Sequence, residues 1–210
     1  MNITANRNVR LASVGRLARA GLAIAFVATC IARANTAAAP EEEQAEHVAI
    51  STVNYQVPDI RLLRDDGKTV GLRAELDDGR PVLLNFVFTS CTSVCPLSSK
   101  VFADFAEELG SERNEVHLMS ISIDPEQDTP ARLREYARQF HAGPEWQHYT
   151  GTRAASLAAQ HAFDAYRGAK MQHQPLTLLR MAPGKPWIRI DGYVTPGQLL
   201  RQYRSLLAAK

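Results

Sequence analysis

From about Tyr55 to the C-terminus, hydrophobic and polar positions fall into short, punctuated blocks. "VPDIRLLRDDGKTV" predicts two short strands folded about Asp66-Gly67, a dipeptide suited to a tight hairpin. "VLLNFVF", Val82 to Phe88, is an almost unbroken apolar run, as a strand covered on both faces should be. A helix is predicted directly after it. Leu97, Val101, Phe105 and Leu109 recur every four residues, Pro96 suits a first turn, and Gly110 supplies a stop. "VHLMSISI", Val116 to Ile123, predicts a second buried strand. In "DTPARLREYARQFHAGP", Asp128 or Thr129 caps a helix and Pro130 opens it. Leu133, Tyr136, Ala137 and Phe140 form its stripe, and Gly143-Pro144 ends it. A short strand at "WQHYTG" and a helix from about Thr152 to Phe163 follow. "LTLLRM" and "WIRIDGY" read as a hairpin across "APGKP", and a last helix carries Leu199, Leu200, Tyr203, Leu206 and Leu207.

Strands alternating with helices, then a hairpin and a helix, define an α/β domain. They predict a central mixed β-sheet flanked by helices, parallel in part, with an antiparallel edge and an N-terminal β extension. A thioredoxin-like fold meets each of these constraints. In such sheets ligands collect at the carboxyl ends of the strands. "FVFTSCTSVCPLSSK", Phe86 to Lys100, lies at one of those ends.

The first forty residues follow different rules. Arg7, Arg10, Arg16 and Arg19 precede an apolar run of thirteen, Ala20 to Ala32, and "ARA" then places small residues where a signal peptidase reads. Crossing a bilayer takes roughly twenty apolar residues. Residues 1–34 are therefore expected to be an export signal, with a short N-terminal membrane anchor as the rival. Residues 35–52, containing "PEEEQAEH", are expected to be a flexible acidic spacer, and 53–210 the folded domain. Removing 1–34 takes away five arginines and no acid, which turns the formal charge of +2 into −3. Neither value argues for nucleic-acid binding. The expected location is periplasmic or extracytoplasmic, with attachment to the inner membrane if the leader stays. Cys30 belongs to the leader, so the exported chain keeps only Cys91 and Cys95.

Those two cysteines lie where the strand pattern stops and the helix pattern begins. Unpaired N–H groups and the helix dipole favour a thiolate there, and the thiolate is both nucleophile and metal ligand. Their C-x-x-x-C spacing is one residue wider than the C-x-x-C of thioredoxins. A disulfide can still close, and two soft sulfurs can also converge on one ion. A structural zinc site would need four protein ligands, and no second cysteine pair completes one. Among the histidines, His117, His148 and His161 sit within regular elements and are read as core-edge or surface residues. His141 suits a helix C-terminus, and His47 lies in the spacer. His173, in "KMQHQPLTLLR", stands in the loop feeding a buried strand and is the candidate third ligand.

"FVFTSCTSVCP", "SISIDPEQDTP" and a downstream histidine before a buried strand make the chain from about Tyr55 onward resemble the Sco/SenC family. Members of that family are copper proteins that assist assembly of cytochrome c oxidase. The resemblance implies copper, as Cu(I) or Cu(II), bound by Cys91, Cys95 and His173. Asp124 is then a supporting or partner-contact group, and Met171 a supplementary or alternative ligand. It also implies delivery of copper, or of electrons, to the copper-site subunit of a respiratory oxidase or to another copper or thiol protein. The family usually places an aspartate before its histidine, and here the residue is Gln172.

Other readings remain open at this point. Cys91 and Cys95 could be the attacking and resolving thiols of a thiol–disulfide reductase. Thr92-Ser93-Val94-Cys95 matches a T-x-x-C peroxidase pattern, although the proline expected upstream is missing. The pair could also be a disulfide that only braces strand to helix.

Overall fold

The two longest apolar runs of the folded domain become the centre of the sheet. β4 (Val82–Val87) and β5 (His117–Ser122), buried at every residue, pair in parallel from Val82 opposite His117 to Val87 opposite Ser122. The computed structural model describes residues 48–209. The leader, Cys30, His47 and most of the expected spacer lie outside the described residues. β6 (Trp146–Thr150) extends the parallel part beyond β5. On the other side β7 (Leu176–Arg180) runs antiparallel to β4, and β8 (Trp187–Asp191) antiparallel to β7. The hairpin of β2 (Arg61–Arg64) and β3 (Thr69–Gly71) turns at Asp66-Gly67 and adds antiparallel to β6. With β1 (Ala49–Val53) against β8, the order across the sheet is β1-β8-β7-β4-β5-β6-β2-β3.

Strand β1 corrects the expected spacer boundary. Residues 49–52 are paired strand, with Ala49 opposite Asp191 and Val53 opposite Trp187. All but Val53 in this strand are exposed, so no apolar period marks it. Backbone pairing onto the open edge of β8 creates the strand.

Among the described residues five α-helices cover the faces: α1 (Leu72–Leu76), α2 (Val94–Leu109), α3 (Pro130–Gln139), α4 (Arg153–Ala162) and α5 (Pro196–Ala208). On one face Leu83, Leu118, Leu179 and Ile190 meet Phe102 and Phe105 of α2 and Leu199 and Tyr203 of α5. On the other, Leu84, Phe86, Met119 and Ile121 meet Leu72 and Leu76 of α1, Ala155 and Ala159 of α4, and Phe163. Successive residues of β4 thus enter opposite cores, which is why its sequence is apolar without alternation. Helix α1 and the 3-10 turn Gly110–Glu115 were not expected, since both are too short to show a helical period. Thr129 caps α3 by accepting from the Arg132 N–H, which leaves Asp128 for other contacts. Among the described residues no helix is long and apolar enough to cross a membrane.

Candidate metal centre

Three segments meet where β4 and β5 end. The first carries the cysteines: Cys91 lies in the turn after β4, and Cys95 is the second residue of α2. Both are free thiols, Cys91 at 8% exposure and Cys95 at 0%, within an apolar cluster with Val87 and Phe88. The Cys95 N–H donates to Cys91 Sγ at 3.4 Å, and the Phe88 N–H donates to Cys95 Sγ at 3.4 Å. Burial opposes ionisation of either thiol, but the outcomes differ. At Cys91 the N–H groups of Cys95 and Ser93, joined by their side chains, outweigh burial and pull the pKa below its ordinary value. At Cys95 burial wins. The Phe88 N–H offsets part of it, while the Cys91 sulfur and the Asp128 charge push the pKa further up. The expectation that the helix terminus acidifies both sulfurs therefore holds at Cys91 and is reversed at Cys95.

The second segment is the 3-10 turn Lys170–Gln172, which leads into His173. His173 Nε2 lies 2.9 Å from the carbonyl oxygen of Phe86 on β4. A carbonyl only accepts, so Nε2 carries the hydrogen and Nδ1 of the neutral ring keeps a free lone pair. Burial lowers the pKa of this histidine; the Phe86 bond opposes that and the Arg167 charge adds to it. A neutral ring with one nitrogen fixed by a backbone carbonyl is the form a metal takes up. The donor chemistry, two sulfurs and an imidazole nitrogen, suits a soft ion. Among the described residues, though, no three His, Cys, Asp or Glu side chains are grouped closely enough to hold a metal. The two cysteines are brought together, and His173 is docked on β4 without closing onto them.

The third segment is the turn between β5 and α3. Asp124 Oδ2 lies 2.5 Å from Lys170 Nζ, so its carboxylate is engaged by the histidine loop. Asp128 is fully buried and accepts from the Thr89 hydroxyl (2.6 Å), the Thr89 N–H (3.2 Å) and the Ser122 hydroxyl (2.6 Å). Met171 is 75% exposed. Sequence reading missed Lys170, Thr89 and Ser122 and saw Asp128 only as a cap, because their partners come from distant positions. The repeated acids of "DPEQD" were the one available signal. His141 follows the end of α3 and His161 is exposed on α4, as expected, whereas His117 and His148, expected at the core edge or surface, are both fully buried. His117 bonds the Glu75 carbonyl and the Tyr149 hydroxyl, and His148 is buried between the Trp146 and Tyr136 rings.

The chain matches the SCO1/SenC family over residues 51–207. It belongs to that family. Among relatives of this SCO1/SenC member is the SCO1 protein homolog of Bacillus subtilis, 33% identical over 100 residues, which are 47% of this chain and 51% of that one. The chain thus spans about half the length of the curated relatives it matches. Bradyrhizobium japonicum ScoI, solved with copper bound, superposes with a TM-score of 0.59 at 25% identity, covering 69% of this chain and 95% of that one. BsSco, described as a member of the Sco family of cytochrome c oxidase assembly proteins with a disulfide switch, gives a TM-score of 0.63 at 25% identity. That match covers 76% of this chain and 98% of BsSco. The thioredoxin-like fold is shared with these structures.

Proposed function

We propose that this protein binds one copper ion through Cys91, Cys95 and His173 and passes it to the copper-site subunit of a respiratory cytochrome c oxidase. The observation that carries the reading is the free dithiol at the end of β4, with an imidazole whose Nδ1 is unengaged docked on the same strand. The copper-bound structure of the similar Bradyrhizobium protein supports it. Cys91 is poised to ionise and meet the metal first. Cys95, held protonated by burial, gives up its proton as the second sulfur binds. Closing His173 onto the sulfurs completes three ligands and leaves a position open, through which a recipient's ligand can enter and take the ion. Asp124 is occupied by Lys170 and Met171 faces solvent, so both stand behind His173 as ligands. The expected leader, Arg-rich and then apolar, supports work outside the cytoplasm, at or near the membrane.

Anaerobic copper titration of the reduced protein tests this reading. Uptake should stop at one ion per chain, and the Cu(II) form should show a sulfur-to-copper charge-transfer band. No uptake and a featureless spectrum would overturn it.

The unlike thiols also favour a second reading, a thiol–disulfide reductase. The Cys91 thiolate attacks a target disulfide, forms a mixed disulfide and expels one target thiolate. Cys95 then attacks the Cys91 sulfur, gives its proton to the second target sulfur and leaves a Cys91–Cys95 disulfide, so two electrons pass to the target. In His173→Ala, loss of tight copper binding with unchanged dithiol exchange would separate the two activities. The peroxidase pattern fits poorly, because its reactive thiol would be Cys95, the fully buried one with the raised pKa.

A further inference from the structure

The turn between β5 and α3 grips both segments that carry the candidate ligands. At one end Asp128, without solvent exposure, holds the hydroxyl and N–H of Thr89, two residues before Cys91. At the other end Asp124 holds Lys170, three residues before His173, and the same ammonium lies 5.6 Å over the Phe88 ring. The turn is braced between these two grips. Ser122 Oγ donates to Asp128 and accepts from the Asp124 N–H at 3.0 Å, while the Asp124 carbonyl accepts from the N–H groups of Gln127 (3.0 Å) and Asp128 (2.9 Å). Displacing either grip therefore disturbs hydrogen bonds that the other needs.

We propose that this turn is a bridge that sets the cysteine turn and the histidine loop relative to each other, with Asp128 positioning the first and the Asp124–Lys170 pair the second. The purpose of the bridge rests on the copper reading; the mechanical coupling does not. The two grips differ in strength. Detaching Thr89 or Ser122 would leave a buried carboxylate short of donors, a heavy penalty. Lys170 is 42% exposed, so its pair is weak on its own and is helped by the Phe88 ring. The cysteine turn is thus the fixed half of the site, and the histidine loop is the half that can be released to close.

Amide hydrogen exchange of the reduced, copper-free full chain, followed residue by residue, tests the bridge. Lys170→Met should speed exchange at Gln172 and His173, whose N–H groups bond the Ala169 and Lys170 carbonyls, by about tenfold. If the bridge transmits, it should also speed exchange at Thr89, across the site. Asp128→Asn should act on Thr89 and reach Gln172 and His173, and Lys170→Arg should restore the wild-type pattern. If Asp128→Asn does not fold, Thr89→Val loosens the same grip. Copper affinity of Lys170→Met should fall by about tenfold, as for other groups that orient metal ligands. Effects confined to the mutated segment, in either direction, would overturn the bridge. A wild-type chain that takes up no copper would refute the copper reading, and the exchange pattern would still decide the coupling.

Discussion

Around Cys91 the N–H groups of Ser93 and Cys95 converge on sulfur, whereas Cys95 lies beneath Phe88 with a buried carboxylate nearby. A thiol-directed reagent meets these two environments as two rates. At pH 7 iodoacetamide should modify Cys91 at least about tenfold faster than Cys95, read by peptide mass mapping; equal rates would contradict the assigned asymmetry. Away from the site, His148 has its pKa lowered to about 3 by burial, and the Asp65 carboxylate 3.8 Å away does not offset this. In the unfolded chain the ring titrates near its ordinary value, so between the two values the unfolded state binds more protons. The stability from a neutral His148 is therefore complete above about pH 6.5 and is withdrawn as pH falls toward the folded value. Urea unfolding at pH 7 and pH 5 should show His148→Leu losing about 2 kcal/mol less than wild type on acidification. The same loss in both would show that the ring does not carry the acid sensitivity.

At the scale of elements, legibility followed length and burial. The strands β4 and β5 and the helices α2, α3 and α5 were readable because their apolar positions repeat over many residues, and Thr129-Pro130 and Gly110 mark real ends. Helix α1 has only Leu72 and Leu76 to show, and β1 has no buried face, so tertiary contacts make both. The site divides in the same way. Two cysteines three residues apart can be seen in one line of sequence. The grip of Asp128 on Thr89 spans 39 positions and that of Lys170 on Asp124 spans 46, so only the folded sheet reveals them. Gly110 is an element-scale test. Its φ of 58° and ψ of −119° are open to glycine and strained for any other residue, and they let α2 stop and turn into the 3-10 segment. Gly110→Ala should lower stability by about 1–3 kcal/mol in urea while leaving copper uptake unchanged. An unchanged urea midpoint would show that the helix stop does not depend on that conformation.

For the whole molecule, the sheet brings together at one end what the chain keeps far apart. Parallel β4 and β5 end where antiparallel β7 begins, so the cysteine turn, the acidic turn and the histidine loop share a rim. The opposite demand falls on the sheet edges, where β1 covers β8. A chain starting at residue 54 should therefore be less stable than one starting at 48 by about 1–3 kcal/mol, as backbone hydrogen bonds worth about 1 kcal/mol each are lost with the strand. Equal stability would mean that the pairing contributes nothing and that the folded part starts later. The central claim concerns the rim itself, that two unlike sulfurs and the His173 imidazole gather on one copper ion. Copper-edge X-ray absorption of the reduced full chain, loaded with a single equivalent of copper, measures that set directly. The account predicts two sulfur neighbours and one imidazole nitrogen, with the imidazole lost and both sulfurs kept in His173→Ala. A wild-type spectrum with no imidazole, unchanged by that substitution, would contradict it.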